Sequence, residues 1–326
     1  MAQSEPPLVT VIVACYNQAE YVEECLESVR QQTYRNFEIV IVDDGSDDNS
    51  VAVIRRWLDS SAVEATLIVH SGNLGVCRTF NDSIARANGK YISIIAGDDV
   101  YLPQKLETQV ELFENLPEAV GVVYSDAWQI DKDGKLLADR FIEAHRPSQS
   151  TPQGRMFRSL LAGNFIPSMT TLVRRACYQS VGMYDEVLAY EDYDMWLRIS
   201  REYEFAFSPL ISAKYRVVPN SLVRVLAHAG SAKLRSDFRI FEKCLKAKSL
   251  SADEREIIRS RLKGLGFEIY ARNCRSQRLY LLKLFWLAPG KYALSMLLFC
   301  AAGIPVRYFS ALLARWKSAA ESELAR

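Results

Sequence analysis

Hydrophobic runs and amphipathic segments alternate along the first hundred residues of the chain. Four runs rich in β-branched residues predict strands: LVTVIVACYN (8–17), FEIVIVDDGS (37–46), TLIVH (66–70) and YISIIAGDD (91–99). Three segments between them, with apolar residues at helical spacing, predict helices: 20–32, 51–58 and 75–87. Strands this apolar need cover on both faces, so the pattern predicts an α/β fold with a parallel sheet under helices.

The pattern changes after residue 103. Six further segments carry a signal: a helix at 104–114, a strand at 119–126, an Asp-Gly hairpin turn at 133–134, a loop at 143–154, a strand at 169–175 and the beginning of a helix at 191–200. The loop is assigned because its polar, Pro- and Ser-bearing sequence is typical of a mobile segment. From about Leu222 the sequence becomes helical and basic, and no further strand is predicted.

Charge divides the chain into two parts. The 326 residues carry a net charge of +1, but residues 222–326 hold 20 Lys and Arg against 8 Asp and Glu, whereas residues 1–221 hold 20 against 31. The acidic part could hold a metal, and the basic part could contact an anionic surface or simply expose charged helices. We therefore predict an α/β domain over 1–221 and a basic helical extension over 222–326.

Cysteine usage and the first residues of the sequence indicate the cellular compartment of the protein. The seven cysteines form no CxxC pair and are odd in number, which favours reduced thiols in a cytosolic protein. The first ten residues, MAQSEPPLVT, lack a basic region followed by an apolar run, so a secretory signal is not expected.

Polar residues follow three of the predicted strands at the point where each strand ends. They are Cys15-Tyr16-Asn17, Asp43-Asp44-Gly45-Ser46 and Gly97-Asp98-Asp99. In an open parallel sheet, ligands bind beyond the carboxyl ends of the strands. We therefore expect the three sets to meet in one crevice and to form a binding site.

The pair Asp98-Asp99 concentrates negative charge, because two adjacent carboxylates repel each other and need water or a cation. Mg²⁺ suits a site with few carboxylates, since it keeps waters and substrate phosphates in its shell. The alternative is a solvated turn or a helix N-cap, which a short motif alone does not exclude. Asp43-Asp44 at another strand end favours the ligand site, because a carboxylate there can accept hydrogen bonds from a nucleobase imide or from ribose hydroxyls.

Three segments of the chain resemble family 2 glycosyltransferases of the GT-A fold: VTVIVACYNQAEYVEECLESVRQQTYRNFEIVIVDDGSDDNS, NLGVCRTFNDSIARANGKYISIIAGDD and YEDYDMWLRI. The likeness covers roughly residues 8–217, in order and at family-like spacing. It implies a Rossmann-like nucleotide-binding sheet with an acceptor-side subdomain, followed here by the helical extension. It also implies an inverting transferase that uses a nucleotide-diphospho-sugar, with a donor-binding half at about 8–105 and an acceptor half at about 106–221.

The resemblance implies donor-binding roles for seven residues: Ala14, Tyr16, Asn17, Asp44, Asn73, Arg78 and Asp98. Tyr16 would stack on the nucleobase, and Asp44 would accept its imide proton. Asp98 would face the ribose, whereas Asp99 would bind a divalent metal, Mg²⁺ or Mn²⁺. Asn81 also lies where the family's third helix approaches the donor, but a structural role inside the helix is an equal alternative.

Glu191-Asp192 matches the ED element of the family, in which the aspartate acts as the base. The acceptor hydroxyl attacks the anomeric carbon in line with the departing diphosphate, so a carboxylate must take its proton as the bond forms. The metal would meanwhile stabilise the charge that grows on the leaving oxygen. The alternative interpretation makes both residues first-turn acids that the helix dipole favours.

Two motifs of related enzymes are missing. Many relatives carry a histidine in a YRxH-like segment that can join the metal shell, but the matching run YRVVPNSL (215–222) has none. His70, His145 and His228 are scattered, and for His70 a packing or loop role is expected. The metal site would then rely on Asp99, diphosphate oxygens and water. The QxxRW segment of processive synthases is also missing, which favours transfer of a single sugar.

The tail contains an uncharged run, YALSMLLFCAAGIPV (292–306), whose 15 residues are fewer than the about 20 that span a bilayer. Apolar helices edged with Arg, Lys and Trp are typical of the membrane interface. We therefore predict that residues 279–317 lie on the cytoplasmic leaflet against anionic lipid. A helical hairpin packed on the catalytic domain, or a dimer contact, is the alternative.

Together these features predict a cytoplasmic glycosyltransferase on the inner face of the membrane. The expected donor is a UDP-sugar, the acceptor is a surface glycan or its lipid-linked precursor, and no nucleic-acid partner is expected. A sugar nucleotidylyltransferase would need a Gly-rich phosphate loop with nearby Arg and Lys where ACYNQAEY stands. A non-catalytic nucleotide-sugar-binding or scaffold protein would be expected to lack Asp99 or Asp192, and both are present.

Overall fold

The computed structural model describes residues 5–146, 150–219, 221, 226, 231–273 and 276–312. The backbone divides into two compact units, Met1–Ser221 and Leu222–Arg326. The first unit is an α/β domain and the second is helical. Six cysteines in the described part of the chain are buried and form no disulfide: Cys15, Cys25, Cys77, Cys177, Cys244 and Cys300.

The first unit begins with parallel strands separated by helices. The strands are β1 (Val9–Cys15), β2 (Phe37–Asp43), β3 (Ala65–Val69) and β4 (Tyr91–Ala96), and the helices are α1 (Val22–Arg30), α2 (Ser50–Ser61) and α3 (Val76–Ile84). β1 lies between β2 and β4 and is buried apart from Ala14, because α1 and α3 pack against it. The α/β fold predicted from the hydrophobic runs is confirmed.

Three later strands complete a seven-stranded sheet: β6 (Val120–Tyr124), β9 (Leu172–Arg174) and β10 (Glu204–Phe207). The order across the sheet is β10-β6-β9-β4-β1-β2-β3, and β9 runs antiparallel to both of its neighbours. The helices that accompany this part are α4 (Lys105–Glu114), α5 (Phe141–His145), α6 (Phe157–Leu161), α7 (Arg175–Val181) and α8 (Asp192–Glu202).

A second sheet lies beside the carboxyl end of β4. Its strands, in order, are β5 (Val100–Tyr101), β11 (Ala213–Arg216), β7 (Ala127–Ile130) and β8 (Leu136–Arg140). β7 and β8 form the predicted hairpin, whose turn is closed by a hydrogen bond from Gly134 N–H to Asp131 O. Because β5 follows β4 after only three residues, Asp98-Asp99 lies where the chain passes from one sheet to the other.

Two sequence predictions in this unit are wrong in part. Within the predicted loop 143–154, the helix α5 extends to His145, because Phe141 stacks on the His145 ring one turn later; residues 147–149 lie outside the described part. The predicted strand 169–175 begins with a 3-10 turn, Ser168–Thr170, and only Leu172–Arg174 pairs. The hydroxyls of Thr170 and Thr171 donate to the carbonyls of residues 167 and 168, which favours the turn.

The second unit is helical throughout its described residues, and no strand follows β11 there, as predicted. Its helices are α9 (Ser231–Leu245), α10 (Ala252–Ala271), α11 (Gln277–Leu287) and α12 (Lys291–Ala301). α10, α11 and α12 pack on one another. α10 comes so close to α11 that a Cβ on Gly266 would lie 2.5 Å from a methyl carbon of Leu284. Phe309 is fully buried against the Tyr270, Tyr292 and Phe299 rings.

Helices α11 and α12 keep an exposed apolar surface, which we call the outer apolar face: Leu279, Leu282, Trp286, Leu294 and Leu298. The Trp286 side chain is 74% exposed. On each helix these residues are spaced by three or four positions, so they share one side. None of the helices in the described ranges is long and apolar enough to cross a membrane. Residues 313–317 of the predicted interfacial segment lie outside the described part.

Candidate active site

The carboxyl ends of β1, β2 and β4 are joined by backbone hydrogen bonds. Gly97 N–H donates to Ala14 O at 2.8 Å, and Asp44 N–H donates to Cys15 O at 2.9 Å. Ala14 is partly buried between Val42 and Ala96 of the neighbouring strands. Parallel strands present these ends at one side, so the predicted strand-end residues lie at the same edge of the sheet. Their meeting in one crevice stays a prediction.

The loop after β1 carries an exposed aromatic residue. Tyr16 is 42% exposed, which leaves its face available for stacking. Asn17 has a left-handed backbone, with φ of 52°, which asparagine tolerates better than most residues. Its N–H donates to Ser46 Oγ at 2.9 Å and its Oδ1 accepts from Asp47 N–H at 2.8 Å, so Asn17 connects the loops after β1 and β2.

Asp44 fixes the loop that follows β3. Its Oδ1 accepts from Leu74 N–H at 2.9 Å and contacts His70 Nδ1 at 3.0 Å, and its Oδ2 accepts from Gly75 N–H at 3.0 Å. A carboxylate offers about four acceptor sites, so one is left for a ligand. Nothing in the sequence indicates this loop role, and the predicted contact with a nucleobase stays a prediction. Asn73 lies exposed on the same loop.

Burial disfavours the negative charge of the Asp98 and Asp99 carboxylates. Asp99 is almost fully buried, and its Oδ1 accepts the Arg216 backbone N–H at 2.9 Å. Burial raises the pKa of the partly buried Asp98 to about 6. Burial and the neighbouring Asp98 charge raise the pKa of Asp99 well above its ordinary value. A bound cation would oppose both shifts, because an opposite charge nearby favours the ionised carboxylate.

Arg216 of β11 joins this pair to two other elements, helix α1 and the turn between β7 and β8. Its Nε donates to Asp98 O at 2.8 Å, and its guanidinium donates to Glu24 Oε2 of α1 at 2.6 Å. Two further bonds reach the carbonyls of Asp131 and Lys132 in the turn between β7 and β8, at 3.4 and 3.3 Å. These contacts join residues that are 84 to 192 positions apart, so no local sequence pattern predicts them.

A divalent metal fits this pair by chemistry, although the chain supplies few ligands. Carboxylate oxygens are the donors that Mg²⁺ and Mn²⁺ prefer. Among the described residues there is no group of three or more His, Cys, Asp or Glu side chains that could hold a metal. Asp99 would therefore hold a metal only together with oxygens from a donor diphosphate and water. The metal role of Asp99 stays a prediction.

Helix α3 contacts the loop that leads to the second carboxylate pair. Arg78 is half-exposed and forms ion pairs with Asp82 and Glu186 at 3.3 and 3.4 Å. Asn81 donates to Tyr184 O and to Glu186 Oε1, both at 3.0 Å, and accepts from Tyr184 N–H at 2.9 Å. These contacts support the alternative in which Asn81 has a structural role inside the helix. A donor-binding role for Arg78 stays a prediction.

Glu191-Asp192 lies at the N-terminus of α8, where the helix dipole favours negative charge. Asp192 Oδ1 accepts from Tyr193 N–H at 2.6 Å, and Oδ2 accepts from Asn164 Nδ2 at 2.7 Å. Burial, followed by the charge of Asp192, raises the pKa of Glu191 to about 8. The raised pKa favours a proton on this pair, which can then carry one proton and one charge side by side.

The raised pKa of Glu191 makes folding stability depend on pH. Because its pKa of about 8 lies above the ordinary 4.5, its stabilising contribution is complete below the lower value and is lost as pH rises through the higher one. We expect Glu191→Gln to raise the melting temperature relative to wild type more at about pH 9 than at about pH 5. Glu111→Gln, at an exposed site on α4, is the control. If the difference in melting temperature between Glu191→Gln and wild type were the same at both pH values, the raised pKa of Glu191 would be contradicted.

Helix α3 places the two sides of the site close together. Gly75, directly before α3, donates to Asp44, and Cys77, two residues later, lies near the second pair: burial and then the charge of Glu191 raise the Cys77 pKa to about 12. Cys77 Sγ also contacts Leu188 O, three residues before Glu191, at 3.7 Å. A mostly parallel sheet with polar residues beyond the carboxyl ends of its strands defines a ligand-binding α/β protein of the GT-A class.

Sequence comparison gives the family. The sequence profile of glycosyl transferase family 2 matches residues 10–180, just over half of the chain, and the chain belongs to this family. An uncharacterized glycosyltransferase of Rickettsia prowazekii is 31% identical over 214 residues, which are 65% of this chain and 64% of that protein. One from Methanocaldococcus jannaschii is 29% identical over 222 residues, 68% of this chain and 74% of that protein. The chain therefore spans just under two thirds of the Rickettsia relative's length.

Solved structures support the fold. TarS of S. aureus, in a complex with UDP-GlcNAc, aligns with a TM-score of 0.60 at 14% identity over 91% of this chain and 92% of that chain. The mannosyltransferase PcManGT of Pyrobaculum calidifontis, in a complex with GDP-Man and Mn²⁺, aligns with a TM-score of 0.57 at 19% identity over 97% and 81%. The predicted GT-A fold with a helical C-terminal region is confirmed.

Proposed function

We propose that this protein transfers a single sugar from a nucleotide-diphospho-sugar to an acceptor hydroxyl with inversion at the anomeric carbon. The carrying observation is the pair Glu191-Asp192, in which one carboxyl has a pKa of about 8 while the other accepts N–H donors on both oxygens. Such donors favour the charged carboxylate. Adjacent carboxyl groups with different proton affinities are suited to acid–base chemistry.

In the proposed reaction, the acceptor oxygen forms a bond to the anomeric carbon as the bond from that carbon to the diphosphate oxygen breaks. Asp192 takes the hydroxyl proton as the new bond forms, and the nucleoside diphosphate leaves with the bonding electrons. A divalent metal, when bound, supplies a positive charge that stabilises the leaving oxygen. Asp99 would hold it while Asp98 faces the ribose, so Asp99 and Asp192 serve opposite sides of the sugar.

We propose a UDP-sugar as the donor, bound by the half of the domain at about 8–105. Tyr16 offers an exposed ring for the base, and Asp44 keeps one acceptor site. One acceptor suits uracil, because its pairing edge has a single N–H. The structural relatives named above hold UDP-GlcNAc in one case and GDP-Man with Mn²⁺ in the other, which supports a nucleotide sugar as the class of donor.

A nucleotide-sugar panel tests this function. The full chain is mixed with UDP-, GDP-, ADP- and CMP-linked sugars, with Mn²⁺ or Mg²⁺, and is scored by thermal shift, by donor hydrolysis and by transfer to glycan or lipid-linked acceptors. We expect a metal-dependent shift and turnover with a UDP-sugar and an inverted product. Binding without hydrolysis or transfer would instead indicate a non-catalytic nucleotide-sugar-binding protein.

We further propose that the helical extension brings the site to a lipid-linked acceptor on an anionic membrane surface at the cytoplasmic side. The outer apolar face supports this, because an exposed tryptophan and four leucines on packed helices suit the lipid interface. Lys283, Lys291 and Arg307 lie in the same segment. Each cation near an anionic surface adds about 1 kcal/mol, a part that salt weakens.

Substitution of the outer apolar face should release the protein from lipid. We expect the full chain with Leu282→Ser, Trp286→Ser and Leu298→Ser to lose flotation with vesicles that contain anionic lipid, whereas wild type floats and is only partly released by salt. The control replaces Leu136 and Val187, two exposed apolar residues of the first unit, by serine. Equal flotation of the wild type and the outer-face variant would favour a packing or dimer role for this surface.

A further inference from the structure

The side-chain amide of Asn164 contacts the proposed base. Asn164 lies between α6 and the 3-10 turn, and its Nδ2 donates to Asp192 Oδ2 at 2.7 Å. We propose that Asn164 is a positioning residue that keeps Asp192 oriented and ionised for proton removal from the acceptor. This inference rests on the proposed function, because it takes Asp192 as the base. No pattern in the sequence marks Asn164, since its partner is 28 residues away.

The amide of Asn164 has a defined orientation because both of its ends are bonded. Its Oδ1 accepts from Ile166 N–H at 3.1 Å, while its Nδ2 faces the carboxylate. In the flipped orientation, oxygen would face a carboxylate that can only accept, and the NH₂ group would face another donor. One orientation alone satisfies both contacts, and it directs an N–H at Asp192.

The backbone on either side of this contact is anchored in the core. Phe165 and Ile166 are almost completely buried. Tyr193 Oη donates to Leu160 O at 2.6 Å, so a second hydrogen bond joins α6 to the first turn of α8. The amide and the carboxylate are therefore held by packed elements, which suits a site that must fix the direction of an attacking hydroxyl.

Hydrogen bonds fix the orientation of the proposed base. Tyr193 N–H bonds one oxygen of Asp192 and Asn164 bonds the other, so the plane of the carboxylate is set. An N–H donor stabilises the charged form, which offsets the cost of placing Asp192 beside the partly buried Glu191.

Asn164→Asp tests this role with almost no change of shape. The new carboxylate replaces a donor by a like charge, which raises the pKa of the Asp192 carboxyl. We expect the acidic limb of the pH–kcat profile to move up by roughly one pH unit or more, with activity partly regained at alkaline pH and an unchanged KM for the nucleotide sugar. Asn164→Ala should lower kcat by roughly 10- to 100-fold, which is the loss of rate expected when a catalytic group is slightly misplaced.

Tyr193→Phe is the matched control, because it removes the neighbouring bond to Leu160 and keeps the Asn164–Asp192 contact. Its profile should keep the wild-type midpoint. An Asn164→Asp profile that superimposes on wild type, or the same shift in Tyr193→Phe, would overturn the positioning role. If Asn164→Asp fails to fold, wild-type kcat in Asn164→Ala would overturn it. A wild-type enzyme without transfer to any acceptor would contradict the proposed function itself, whatever the variants do.

Discussion

Asp192→Asn is expected to lower the rate of sugar transfer by roughly 10²- to 10⁴-fold, the usual size of the loss of a general base. The amide cannot take the proton of the acceptor hydroxyl. Donor affinity should survive, because Asp192 lies at the start of α8 and not at the strand ends. Transfer by single turnover and donor affinity by thermal shift, measured on the same preparation, separate the two effects.

Asp139→Asn makes the same chemical change at an exposed site of β8 and should leave both quantities unaltered. A joint collapse of donor affinity and transfer in Asp192→Asn would assign the residue to the donor side or to folding. The melting temperature distinguishes these two, because a donor-side role leaves the ligand-free protein as stable as wild type.

Asp99→Asn is expected to abolish the metal dependence of donor binding and to lower turnover by at least about 10²-fold. A metal stabilises the leaving group by several kcal/mol, and about 1.36 kcal/mol corresponds to a factor of ten. The fold should persist, since burial already disfavours the charge on Asp99, and the variant removes that charge. Thermal shift with UDP and a titration of Mn²⁺ measures the binding part.

Asp47→Asn, at an exposed position after β2, is the charge-matched control for this variant. It should keep the wild-type response to Mn²⁺. Near-wild-type turnover of Asp99→Asn at limiting Mn²⁺ or Mg²⁺ would remove Asp99 from the metal site and leave Asp98 as the candidate.

The elements that the sequence predicted best are those whose burial is uniform. β1 and β4 are buried on both faces, so each is a long apolar run with a single serine or threonine, Thr10 in β1 and Ser93 in β4. The short strands β5 and β11 were not predicted, because the residues that pair lie about a hundred positions apart. A strand of two residues such as Val100–Tyr101 has no periodicity of its own.

The same distinction holds for the candidate site. Carboxylates directly after apolar strands are visible in a sequence, and so is the ED pair before an amphipathic helix. Their supporting partners are not visible: the loop that Asp44 holds, the guanidinium of Arg216 and the amide of Asn164 act across the fold. These contacts form only where separate segments meet in the fold. The residue type at a single position does not reveal which segments will meet.

Arg216 has a consequence for any attempt to redesign acceptor choice. The natural target for grafting is the hairpin of β7 and β8, because loops of this kind vary easily. Its turn carbonyls at Asp131 and Lys132, however, hold the guanidinium whose Nε bonds the carbonyl of Asp98. A transplanted hairpin that altered these two carbonyls would loosen the residue beside Asp99. Acceptor engineering here therefore has to conserve the turn backbone, and the donor KM is the quantity to monitor.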